Sequence, residues 1–206
     1  ASVAQRVPPT VAWPVLEALS RHPEDSEDRN LPLLIWHALA RRMPQDLGRA
    51  FAIVSKTPMT ALADSIHWYA GTLDGEGLSR AVQGVASVSG ELRRRRLTGL
   101  AHALGSRAGV SMPAAWRALA PSLYGDADLR IRRLADRVAA AFGDDSMFPR
   151  LRASLADGAT DPDSRKHAFA VLSRGPDRGS LPVFLKLLDD PAFRVPSLRL
   201  LSRFDS

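Results

Sequence analysis

Four consecutive arginines, Arg93, Arg94, Arg95 and Arg96, are the densest charge in the chain. Clustered guanidinium groups raise the local potential and neutralise phosphate, so their first reading is a nucleic-acid or acidic-partner patch. On a helix turning roughly 100° per residue, however, four successive side chains spread around most of the circumference and cannot face one groove. The apolar stripe Leu92, Leu97, Leu100, Ala101 and Leu104 places Arg96 at its border as a structural group. It leaves Arg93, Arg94 and Arg95 for solvent or a binding partner.

The other reactive residues are scattered. His22, His37, His67, His102 and His167 include no pair at the i, i+3 or i+4 spacing that sets two metal ligands on one helix face. Trp36-His37 and His67-Trp68 are mirror-ordered neighbours that would line a pocket or, more simply, close the packing. Asp157, Asp161 and Asp163 offer a hard-cation loop, but without EF-hand spacing they read as helix caps, as do Asp144 and Asp145 after Gly143. The acidic stretch Glu24 to Asp28 reads as a solvated connection, with a basic partner as the other reading. The chain has no cysteine, which removes disulfides, thiolate ligands and covalently attached c-type haem from it. Gly-x-Ser-x-Gly, Gly-Lys-Ser/Thr and Gly-x-Gly-x-x-Gly are also missing, so no catalytic, cofactor-binding or metal-binding set is expected.

The elements that must carry these residues read as helices throughout. Leu181, Phe184, Leu185 and Leu188 fall at i, i+3, i+4 and i+7, and Ile131, Leu134, Ala135, Val138, Ala141 and Phe142 continue such a stripe over three turns. Proline, glycine and capping residues punctuate the chain into helices near 11–21, 31–42, 46–56, 59–71, 76–88 and 91–105. A second set is expected near 113–123, 127–142, 147–157, 162–174, 180–189 and 191–203. A short pattern recurs in the second set: Asp126 with Arg130, Asp161 with Arg165 and Asp190 with Arg194, each arginine four residues after its aspartate. Aspartate caps a helix, Pro162 and Pro191 suit its first position, and the arginine reaches back to the aspartate or to a neighbouring repeat. Pro196 would interrupt the last helix in its second turn and implies a kink or a late start. The reading is all-α: a superhelix of about six stacked HEAT-like hairpins. It treats residues 1–206 as one domain with a soft joint near 105–112.

Composition agrees with a folded domain. The 206 residues weigh 22.3 kDa, 45% are hydrophobic and 24% charged, and the net charge is +6. Lysine occurs only at Lys56, Lys166 and Lys186, so almost all basic charge is arginine, which suits structural ion pairs as well as phosphate. No apolar run approaches the roughly 18 residues of a membrane span. Beginning at Ala1 and stopping at Phe204-Asp205-Ser206, the chain reads as a piece of a longer polypeptide.

Several phrases resemble a known family. Trp13-Pro14-Val15-Leu16-Glu17-Ala18-Leu19, Asn30-Leu31-Pro32-Leu33-Leu34-Ile35-Trp36, Met112-Pro113-Ala114-Ala115-Trp116 and Leu187-Leu188-Asp189-Asp190-Pro191 carry the likeness. They are similar to the helical-repeat section of the planctomycete-type haem-binding, membrane-bound-dehydrogenase-like multidomain proteins. His37 and Pro196 depart from the pattern. The resemblance implies a non-catalytic spacer and protein-interaction module between a β-propeller of dehydrogenase type and a cytochrome c domain. It further implies an extracytoplasmic location, with flanking domains or another protein as partners. Exposed terminal repeats would add weak self-association. The alternative is a basic HEAT-like nucleic-acid binder resembling the alkylpurine DNA glycosylases, which predicts a carboxylate and aromatic residues converging with inner-face arginines.

Overall fold

The computed structural model describes residues 1–105, 107, 109–174 and 177–203, and these form an all-α protein. The chain divides into two compact units, residues 1–121 and 122–206. The boundary lies inside a helix, beyond the joint expected near 105–112; Ser106 and Ala108 of that joint fall outside the described residues, as do Phe204, Asp205 and Ser206.

The first unit holds α1 (Pro9–Leu19), α2 (Leu31–Ala40), α3 (Leu47–Val54), α4 (Thr60–Thr72), α5 (Glu76–Ala86), α6 (Gly90–Leu104) and most of α7 (Ala114–Tyr124). Its centre is α4, which packs against α2, α3, α5 and α6. Leu62, Ile66 and Ala70 of α4 meet the core at one-turn spacing and are fully buried, as are Ile35 and Leu39 of α2 and Leu97 of α6. Gly71 permits the close α4–α6 crossing, since a Cβ there would stand 3.0 Å from the Ala103 methyl. Caps follow the sequence chemistry: Asp46 accepts from the Arg49 N–H at 2.9 Å to open α3. Asp28 takes the Asn30 and Leu31 N–H groups, both at 2.7 Å, ahead of α2.

The second unit begins with the end of α7 and holds α8 (Leu129–Phe142), α9 (Phe148–Ala156), α10 (Pro162–Leu172), α11 (Leu181–Lys186) and α12 (Arg194–Leu201). Here α10 packs on α8 and α9, and α11 on α9 and α12. Gly143, in the left-handed region at φ 69°, ends α8. The Gly143 and Asp144 N–H groups close a Schellman arrangement on the Ala140 and Ala139 carbonyls.

Two sequence expectations are corrected in this unit. Leu185 and Leu188 do not join the core: Phe184 and Leu187, three residues apart, are the buried pair where α11 passes into a 3-10 turn over Leu187–Asp189, and Leu185 is 54% exposed. Pro191 does not open a helix, because residues 191–193 form a turn and α12 starts late, at Arg194. Pro196 then occupies the third helical position, where no intrahelical acceptor is available for an N–H.

Candidate functional site

The arginine run sits on the first half of α6, and each member is tied into its own unit. Arg93 donates through Nε to the Val88 carbonyl at 2.7 Å, and Arg94 pairs with Glu91 one turn earlier. Arg95 crosses to Asp64 of α4, and Arg96 donates through Nη1 to the Gly84 carbonyl at 2.5 Å. The four side chains thus point to different elements, as the helical rotation requires. Leu92 and Ala101 are not buried with the stripe; Leu97, Leu100, Ala103 and Leu104 form it instead. Burial pulls the Arg96 guanidinium below its ordinary pKa, while Asp64 works in the opposite direction.

On one side of α6 lies an open hollow of about 410 Å³ between α4 and α6. Asp64, Trp68, Arg94, Arg95 and His102 border it, and Trp68 stacks on His102 with ring centres 6.3 Å apart. Trp36 meets Trp68 and Tyr69 edge-on at 6.5 and 5.6 Å, so these half-buried aromatics join α2 to α4. The tryptophans of the two Trp-His pairs meet, but their histidines do not. His37 is exposed, and His67 turns to the opposite face of α4, towards Phe51.

The recurring Asp-to-Arg pattern is regular in the second unit once its first copy is moved by two residues. Asp128, not Asp126, caps α8 by accepting from the Arg130 N–H at 2.8 Å; the Asp126 carboxylate accepts from the Asp128 N–H instead. Arg130 is exposed, and Arg132, four residues after the cap, reaches back to the Asp126 carbonyl at 2.6 Å. Arg165, four after Asp161, donates to the Leu155 carbonyl at 3.1 Å, and Arg194, four after Asp190, to the Leu188 carbonyl at 2.7 Å. In each case a guanidinium satisfies a carbonyl near the end of the preceding segment, which the helix cannot satisfy for itself.

A second set of arginines bridges between segments. Arg133 of α8 reaches Ser164 Oγ at 3.0 Å beside the Asp161 cap, Arg165 reaches Asp190 at 2.7 Å, and Arg152 reaches Asp177 at 2.8 Å. The Arg165 guanidinium also lies over Phe193, 4.8 Å from the ring centre. The Ser164 hydroxyl and N–H hold the Asp161 carboxyl below its usual range, and Arg165 with the Ala192 N–H does the same for Asp190. Burial opposes the charge of Asp177, but Ser180, the Gly179 N–H and Arg152 together outweigh it. Behind the bridges, the fully buried Asp136 accepts from Arg150 at 2.5 Å and contacts His167 Nε2 at 3.0 Å.

Asp157, Asp144 and Glu24 are also engaged locally. Asp157 accepts from the Ala159 N–H and the Thr160 hydroxyl, Asp144 from the Tyr124 hydroxyl and the Ser146 N–H, and Glu24 lies 2.8 Å from His22. Burial, then the bond to Asp144, pushes the Tyr124 hydroxyl upward. Among the described residues no group of three or more His, Asp or Glu side chains forms a metal site, and no helix is long and apolar enough to cross a membrane. No family model matches the chain, and no curated protein or solved structure is detectably similar to it.

Proposed function

We propose that this chain is a non-catalytic helical-repeat scaffold that spaces and orients other modules. The observation that carries the reading is the regular Asp-to-Arg device of the second unit. Asp128 with Arg132 and Asp161 with Arg165 join a helix start to the segment before it, and Asp190 with Arg194 does the same for the turn that leads into α12. A device that recurs three times along the second unit serves stiffness and stacking rather than one reacting centre. The aspartates and arginines that would otherwise suggest chemistry have structural partners, which supports the same reading.

The phrases shared with the dehydrogenase-like multidomain proteins extend the proposal: the module links a β-propeller to a cytochrome c domain, outside the cytoplasm, and contacts those flanking domains or another protein. Exposed Leu33 and Leu34, 53% and 43% accessible, supply an apolar surface for such contact or for weak self-association. The test is the intact mass and haem stain of the native gene product in its source cells. A haem-positive polypeptide several times heavier than 22.3 kDa is the expected result, and a haem-free product of this mass overturns the linker role.

A further inference from the structure

The second face of α6 carries a cleft with a different chemistry. About 400 Å³ of space lies between the end of α3, α5 and the turn leading into α6. Phe51, Val54 and Val88 give it apolar walls; His67 and Arg96 supply nitrogen donors, and Arg80 borders it with its Nε donated to Glu76 at 2.8 Å. His67 is only 4% exposed, and neither ring nitrogen has a hydrogen-bond partner. The Nε of Arg96 is likewise buried without a partner, while its Nη1 is held by the Gly84 carbonyl.

These unpaired groups define what is missing. A neutral imidazole offers one N–H and one acceptor nitrogen, and the guanidinium offers its Nε–H; two donors in one cleft lack an acceptor, and protonating the second ring nitrogen would make a third. Leaving such donors buried and unsatisfied is unfavourable, and native folds rarely keep them without a compensating role. The local backbone accommodates the ring: a Cβ at Gly84 would stand 2.2 Å from His67 Cε1. Gly84 therefore brings His67 and the Arg96 head group onto the same peptide. The Phe51 ring meets the imidazole edge-on at 5.1 Å and the Arg80 guanidinium at 5.8 Å, adding an apolar body to the cationic floor.

We propose that this cleft binds a small organic carboxylate, its charged end on Arg96 and His67 and its apolar end against Phe51, Val54 and Val88. Inorganic phosphate would satisfy the charge but leave the apolar walls unused, so the two anions are distinguishable. Both donors lie beneath the cleft surface, and admission of the carboxylate turns on rotation of the long Arg96 side chain. The proposal goes beyond the scaffold role and adds a ligand-responsive contact to it.

NMR titration of the full chain with hexanoate, and separately with phosphate, tests it. Hexanoate is expected to shift the His67 ring resonances saturably with a Kd of about 1 mM or tighter. The pKa of His67 should rise on binding, because a carboxylate favours imidazolium. Arg96→Met, which keeps the apolar stem, should weaken hexanoate at least about tenfold. His67→Leu should weaken it as well while leaving the fold intact, as checked by its amide spectrum. Binding of phosphate alone, hexanoate binding that survives both substitutions, or no saturable shift at all would each overturn the proposal.

Discussion

His67 shows most directly what one residue contributes. Burial, with the nearby Arg96 charge, drives its pKa down from 6.5 to about 3, so the folded protein holds it neutral down to that pH. The sign follows from linkage: the unfolded chain binds a proton on this imidazole below pH 6.5 and the folded chain does not until near pH 3. Stability from the neutral ring is therefore complete above pH 6.5 and is lost as the pH falls towards 3, by up to about 1.4 kcal/mol per pH unit. Urea unfolding of wild type and His67→Leu between pH 7 and pH 4.5 measures the difference in slope. The wild type should lose stability faster on acidification, and parallel curves would show that the ring is protonated in the fold. The sequence identifies His67 as a histidine beside a tryptophan, but its burial depends on Gly84, Phe51 and Arg96 arriving from three other segments. No local spacing reports that convergence.

At the scale of elements, capping and bridging do separable work on α10. Asp161 accepts from the Asp163 and Ser164 N–H groups at 3.1 and 2.9 Å, so Asp161→Ala removes a cap and is expected to cost about 1 kcal/mol. Arg165 is a different case, because its half-buried head group serves the Leu155 carbonyl, Asp190 and the Phe193 face together. Arg165→Met keeps the stem and strands the carbonyl and the carboxylate, for a loss of roughly 2 kcal/mol. Thermal or urea unfolding orders the two variants, and equal losses would mean that the bridge adds nothing to the cap. The positions of the helices were legible because caps, prolines and apolar spacing are local signals. Their phase was less so. Asp126 and Arg130 satisfy the same spacing as Asp128 and Arg132, and only the observed start of α8 at Leu129 separates them. In α12, which starts late at Arg194, Ser197 and Leu200 turn inward and Leu198 is left 54% exposed.

For the whole molecule the question is whether a charge of +6 creates a nucleic-acid surface. The excess is spread: residues 1–121 carry 14 basic and 10 acidic side chains, net +4, and residues 122–206 carry 14 and 12, net +2. Phosphate binding needs guanidinium groups free to release counterions, and each contact contributes roughly one unit to the salt slope. The arginines of the α6 run instead hold Val88, Glu91, Asp64 and Gly84, and Arg132, Arg150, Arg152, Arg165 and Arg194 of the second unit hold main-chain carbonyls or aspartates. Moving them to a phosphate backbone would break those bonds, so the net charge overstates what a duplex can reach. Fluorescence anisotropy of a short labelled DNA duplex should therefore stay flat up to about 10 μM protein at roughly 0.1 M salt. A saturable rise that collapses steeply with added salt, and is reduced by replacing Arg93, Arg94 and Arg95 with glutamine, would mean that these residues exchange their internal partners for phosphate. The run would then be a binding surface, and the scaffold reading would give way to the nucleic-acid one.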